Sequence, residues 1–184
     1  MKINVLRDGI VTVCFLLLLL LIAIKVETDA ASTFTGRYRV VDGDSLALGD
    51  VRLRLSGIDA PEFAQTCLRD GSAWRCGEAA RQMLVSLVGS AEMTCKGSRK
   101  DKYQRLLVAC RNGEINVNRE MIRRGMAVSF GGYEDEEKAA REERVGLWAS
   151  DFARPIDWRR QHKAGLQDLD QYLPSTFERL FGID

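Results

Sequence analysis

A single histidine, His162, stands in 184 residues. That scarcity excludes most zinc chemistry and counts against Ser-His-Asp and Cys-His nucleophiles. No G-x-x-x-x-G-K-[ST] and no G-x-G-x-x-G segment occurs, so the usual nucleotide cradles are absent. Prolines are scarce too: three of them, with 16 glycines, exclude a collagen-like or low-complexity chain. The length and a 46% hydrophobic, 29% charged composition suit one compact domain rather than several. Carboxylates and arginines are left to carry any catalysis.

The net charge of +1 conceals an asymmetry. Residues 37–124 hold 16 Lys/Arg against 11 Asp/Glu, and residues 125–184 hold 8 against 12. A basic front half suits a phosphate-bearing partner.

Lys2 and Arg7 precede an apolar run from Ile10 to Ile24 that contains six consecutive leucines, Leu16 to Leu21. This is the order of a secretory signal peptide. Fifteen helical residues span roughly 22 Å, short of the ~30 Å hydrocarbon core of a bilayer. Thr28-Asp29-Ala30 before Ala31 offers a weak cleavage site, and the acidic Asp29 beside it speaks equally for an uncleaved inner-membrane anchor. Residues 1–30 are therefore a signal peptide or an N-terminal anchor. Both put the rest of the chain in the periplasm or outside the cell.

Cys14 falls inside the apolar run and reads as filler. Cys67 and Cys76 bracket a polar segment. Cys95 and Cys110 fall on opposite arms of an expected hairpin that turns near Asp101–Gln104. Export favours two disulfides over four free thiols.

Further along, Phe34–Val41 and Ser45–Leu48 read as strands around Asp42-Gly43-Asp44. Val51–Leu55 alternates, with Arg52 and Arg54 off the apolar face. Residues 62–73 show no period, and a helix is expected over Trp74–Val88. Ala91–Gly97 and Arg105–Arg111 form the cysteine hairpin. Asn118 is a candidate cap for a short helix ending at Gly125. Met126–Phe130 reads as a last strand, and Glu134–Arg144 as a helix with a solvated charged face. About five short strands with interleaved helices suit a small OB-type Greek-key barrel with packed helices.

Three patches carry chemistry: Val41-Asp-Gly-Asp-Ser45, Arg54-Leu-Ser-Gly-Ile-Asp-Ala-Pro-Glu62 and Asp101-Lys-Tyr-Gln-Arg105. Hard carboxylate oxygens suit Ca²⁺. Arginine forks suit the charge that builds on a phosphodiester under attack. In order and spacing, the patches resemble the staphylococcal (micrococcal) nuclease family, the thermonucleases. The resemblance runs from about Phe34 to Arg160 and includes Gly146-Leu147-Trp148.

The resemblance implies Asp44 and Asp59 as calcium ligands, with the Ala60 carbonyl as a backbone ligand. It implies Glu62 as the residue that positions or deprotonates the attacking water, and Arg54 and Arg105 as clamps on the scissile phosphate. Lys102 and Tyr103 match positions that touch a neighbouring phosphate. Tyr133, with Phe130, lies where family members set aromatics against sugar and base. Arg37, Arg39 and Arg52 read as solvated, and Asp42 as a turn residue. Two positions depart from the family pattern: Gln104 stands where a glycine is usual, and Phe130 where a tyrosine would align.

The expected function is that of an exported, calcium-dependent, sugar-nonspecific endonuclease that acts on DNA and RNA and leaves 3′-phosphates. The competing readings are a non-catalytic OB module that binds nucleic acid or acidic polysaccharide at the envelope, and a membrane-tethered assembly factor. The domain is expected over residues 34–160. Residues 10–24 would form the tether of an anchored chain, residues 161–184 are a C-terminal tail, and in the assembly-factor reading alone that tail would dock a partner.

Overall fold

The structure is a computed structural model that describes residues 2–28 and 31–162. Helix α1 (Lys2–Thr28) comes first, followed by β1 (Ser32–Gly36), β2 (Arg39–Val40), β3 (Ser45–Leu48), β4 (Val51–Leu55) and β5 (Ile58–Asp59). A small hairpin, β6 (Cys67–Arg69) and β7 (Ser72–Trp74), precedes α2 (Cys76–Val88). Next are β8 (Met93–Gly97), β9 (Leu106–Asn112), β10 (Ile115–Asn116), α3 (Val117–Arg123), β11 (Val128–Ser129) and α4 (Glu134–Glu142). A 3-10 turn at Gly146–Ala149 leads to helical residues 155–162, here α5.

The main sheet has the order β1-β8-β9-β4-β3-β2, with β10 on β9. Its strands are antiparallel except β4 and β9, which run parallel with Leu53 opposite Leu106. The sheet curls into a half-barrel covered by helices, which is the OB-type architecture expected from the alternation. Inward-facing Leu46, Leu53, Leu55 and Val108 meet Leu84 of α2 and Met121 and Ile122 of α3, all fully buried. Burying a side chain of this size contributes about 1.5–3 kcal/mol, so this seam is the main source of cohesion.

Eleven strands appear where about five were expected, because β2, β5, β10 and β11 are two residues long and too short to show a period. The expected strand Phe34–Val41 is broken at residues 37–38. The β6–β7 hairpin lies in the segment that showed no period. Its loop is Asp70-Gly71, with φ of 50° and 75°, the positive pair that a two-residue hairpin turn needs.

The α3 cap is Asn116, whose side chain accepts the Arg119 N–H at 3.1 Å. Asn118 is instead fully buried. Its amide donates to the Ser56 and Val108 carbonyls and its oxygen accepts the Cys110 N–H, which locks α3 to the parallel strand pair. Glu137 is another correction. It is buried and accepts from the Ser129 N–H and from Arg141, where the charge pattern suggested a solvated face.

Both expected disulfides form, Cys67–Cys76 and Cys95–Cys110, the latter between directly opposed positions of β8 and β9. Cys14 is free and exposed. In α1 the large apolar side chains from Ile10 to Ile22 stand 47–63% exposed. Among the described residues no helix is long and apolar enough to cross a membrane. The cleavage position after Ala30 and the tail beyond His162 lie outside the described residues.

Candidate active site

The turn between β2 and β3 is stiffened by Asp42, whose Oδ1 accepts the Asp44 N–H at 3.1 Å. The Asp44 carbonyl accepts the Leu55 N–H at 2.8 Å, which fastens the turn to β4. Pairing of Ser45 with Arg54 across β3 and β4 then brings the arginine over the turn. Strand β5, paired with β11, fixes Asp59 on the same rim.

One guanidinium joins the two carboxylates. Arg54 donates from Nη1 to Asp44 Oδ1 at 3.0 Å, and its Nη2 lies 2.7 Å from Asp44 Oδ2 and 2.6 Å from Asp59 Oδ1. Asp44 also accepts from the Ser45 hydroxyl at 3.0 Å and from the Ala60 N–H at 3.3 Å. Both carboxylates are almost sealed from solvent, 3% and 2% exposed. Burial pushes the Asp44 carboxyl up to about 7 against the opposing pull of Arg54, and Asp42 and Asp59 add to the rise.

A third carboxylate joins through a residue that local patterns did not reveal. Arg159 of α5 donates from Nη1 to Asp59 Oδ1 at 3.1 Å and to Glu62 Oε1 at 2.9 Å, and from Nη2 to Asp59 Oδ2 at 2.9 Å. Burial works against the Arg159 charge, but the hydrogen bonds to Asp59 and Glu62 outweigh it and hold its pKa above the ordinary value. Gln65, fully buried, is a second residue the sequence did not flag. Its amide oxygen accepts the Glu62 N–H at 3.3 Å and its amide nitrogen donates to the Ala153 carbonyl at 2.7 Å. One side chain thus couples the Glu62 loop to the segment leading into α5. Gly77, in the first turn of α2, lets this loop pass: a Cβ there would sit 1.8 Å from the Glu62 carbonyl oxygen.

Arg105 is held differently. Asp101 Oδ1 accepts the N–H groups of Tyr103 and Arg105 at 2.8 and 3.0 Å, and Asp101 Oδ2 lies 2.8 Å from Arg105 Nε and 2.7 Å from Nη2. Slight burial raises the Asp101 pKa, but these hydrogen bonds dominate and hold it below the usual carboxylate range. Gln104 adopts φ 62°, the left-handed conformation for which a glycine is usual. Arg105 Nη1 reaches the Ser45 hydroxyl at 3.4 Å, and that hydroxyl bonds Asp44. A groove of about 500 Å³ opens beside Arg105, lined also by Ser45, the exposed Arg39 and Arg52, and Asp50.

Arg54, Asp44, Asp59, Ala60 and Glu62 therefore share one rim, with Arg105 one hydroxyl away. Lys102 and Tyr103 lie at its exposed edge, the Lys102 ammonium 5.0 Å from the Tyr103 ring centre. Tyr133 is half-buried and packs over Gly57, where a Cβ would come within 3.2 Å of its ring. Phe130 is 62% exposed, its ring open to solvent rather than packed in the core.

Among the described residues no group of three or more His, Cys, Asp and Glu forms a metal cluster. The donor chemistry nonetheless fits a hard divalent ion. Two buried carboxylates already share one cationic neighbour, and the Ala60 carbonyl belongs to the same loop.

Residues 52–150 match the family described as staphylococcal nuclease homologue. An uncharacterised endonuclease of Haemophilus influenzae is 30% identical over 176 residues, covering 88% of this chain and 94% of the relative. A micrococcal nuclease of Shigella flexneri is 30% identical over 165 residues, covering 77% and 90%. A succinoglycan biosynthesis protein of Rhizobium meliloti is 31% identical over 130 residues, covering 66% and 68%. The matched span runs from β4 to the 3-10 turn and takes in the Arg54–Glu62 loop and the Arg105 turn, and the chain belongs to the staphylococcal nuclease homologue family.

Proposed function

We propose that the protein is an exported, calcium-dependent endonuclease that hydrolyses both DNA and RNA without sugar preference. Nuclease relatives make nucleic acid the substrate class, and the family is metal-dependent. The convergence of Asp44, Asp59, Glu62 and Arg54 on one rim, with Arg105 beside them, supports the finer reading.

In this reading Asp44, Asp59 and the Ala60 carbonyl hold the ion, which supplies positive charge at the scissile phosphate. Glu62 takes a proton from water as the new O–P bond forms. The P–O5′ bond breaks, the 5′ oxygen takes up a proton from solvent as it leaves, and a 3′-phosphate remains. Arg54 and Arg105 place planar forks against the equatorial oxygens, where charge builds in the transition state. Lys102 grips an adjacent phosphate. Tyr103 hydrogen-bonds the same phosphate through its hydroxyl, and Phe130 and Tyr133 offer aromatic faces that accept any base.

Export through residues 1–30, retained as a tether or removed, is part of the same proposal. It is supported by the exposed leucine run of α1 and by the two disulfides.

The test is cleavage of plasmid DNA and of RNA by the purified protein with Ca²⁺, with Mg²⁺ alone and with chelator. Degradation of both polymers with Ca²⁺ alone supports the reading, and no cleavage by a folded sample refutes it. A second reading takes its cue from the Rhizobium relative, described as a succinoglycan biosynthesis protein: a non-catalytic module that grips acidic polysaccharide. Retention on an acidic polysaccharide column without any cleavage is its signature.

A further inference from the structure

We propose that Arg159 is a built-in competitor of the divalent ion, a cation on α5 that neutralises Asp59 and Glu62 until the metal displaces it. The inference rests on the metal-binding reading above. Both oxygens of Asp59 are taken up by guanidinium groups: Oδ1 by Arg54 and Arg159, Oδ2 by Arg159. The same Arg159 Nη1 also holds Glu62. With the Asp59 side chain only 2% exposed, an incoming ion meets these oxygens only where a guanidinium now sits.

Charge points the same way. Asp44, Asp59 and Glu62 supply at most three negative charges, and Arg54 and Arg159 return two positive ones. Adding a divalent ion while keeping both arginines would leave a positive excess in a largely desolvated site, which is strongly unfavourable.

Of the two arginines, Arg159 is the one placed to leave. Arg54 rises from a strand in the main sheet and holds both Asp44 and Asp59, with its side chain 16% exposed. Arg159 has its side chain 30% exposed on the last of the described helices, and the backbone before that helix is pinned separately by Gln65 at Ala153. Its departure frees Asp59 for the ion and Glu62 for water in one movement. The strength of its grip then sets the metal affinity of the site.

Calorimetric titration of Ca²⁺ into the full chain in detergent tests this against Arg159→Gln. The variant is expected to bind Ca²⁺ about tenfold more tightly, with Arg159→Lys in between because an ammonium lacks the fork that spans two carboxylates. Equal or weaker binding by Arg159→Gln overturns the proposal and leaves the nuclease reading intact. Absence of Ca²⁺ binding in the wild type removes the metal site and the competitor together. A second readout needs no variant. In the wild type, saturating Ca²⁺ should accelerate hydrogen exchange of the α5 amides, and unchanged protection there overturns the displacement.

Discussion

Arg54 and Arg105 belong to the same candidate phosphate clamp, yet the fold holds them in opposite ways. Arg54 is gripped by carboxylates from two other segments, Asp44 before β3 and Asp59 on β5, so its position depends on the whole rim being assembled. Arg105 is gripped by Asp101, four residues earlier in its own turn, and reaches the rim through Ser45 alone. The first is positioned by tertiary structure and the second by local structure. Damage to the fold should therefore silence Arg54 first, and damage to one loop should affect Arg105 alone.

The largest effect is expected at the residue the Arg54 side of the rim serves. Glu62→Gln should lower kcat by about 10²–10⁴ while polynucleotide affinity changes little. A variant as active as wild type would remove Glu62 from its assigned role. Arg54→Lys should cost about 10²–10³ in kcat, because the bridge between two carboxylates and the fork toward phosphate are lost together. Thermal unfolding should register that change as well, since Arg54 ties two loops.

Next in size is a purely structural contrast. Removing the bond between Cys95 and Cys110, which are 15 residues apart, by the double substitution Cys95→Ser and Cys110→Ser should cost about 3 kcal/mol of stability on loop entropy, read by denaturant unfolding against the wild type. The Arg105 clamp, just ahead of the strand that carries Cys110, would fail only as the domain melts. Retained activity above the shifted unfolding midpoint would contradict this.

Asp101→Asn sharpens the comparison from the other side. It should lower kcat/KM by about tenfold through a loosened Arg105, with the unfolding midpoint at neutral pH nearly unchanged. Its pH signature is specific. The Asp101 pKa is depressed in the fold, so its contribution to stability is complete above the unfolded value and is lost as pH falls through the folded one. The wild type should lose stability below about pH 4 more steeply than Asp101→Asn, and identical acid-unfolding curves would mean that Asp101 does not tune stability.

The smallest effect belongs to the exposed edge. Tyr103→Ala should weaken binding of single-stranded nucleic acid by about 1 kcal/mol with kcat preserved, through one lost phosphate hydrogen bond, measured by anisotropy at fixed salt. An unaltered dissociation constant would place the strand elsewhere, for instance along the groove beside Arg39 and Arg52.

Much of this was legible along the chain because its signals are local. Alternation marked β4, Asp-Gly marked the turn and with it the returning strand β3, and the spacing from Arg54 to Glu62 outlined a loop that does reach one rim. The Asp70-Gly71 turn was equally present, but its three-residue strands offered no period to frame it. The Asn116 cap was missed in favour of Asn118 because either amide could cap a helix there. Burial against Ser56 and Val108, a contact across the parallel strands, decides between them. Glu137 misled for a similar reason: its i,i+4 partner Arg141 suggested a surface pair, while Ser129 from β11 draws it inward.

Residue type and short-range spacing thus settled the strand periods, the cysteine pairs and the stock of carboxylates and arginines. They did so because a period of two, a tight turn and a hairpin register are each written within a dozen residues. Arg159 and Gln65 acquired their places through folding alone. Arg159 lies 100 residues from Asp59 and Gln65 lies 88 from Ala153, distances over which no sequence pattern reports which side chains meet. Only the docking of α5 against the β5 loop brings an arginine fork onto the buried Asp59 and the half-buried Glu62 beside it.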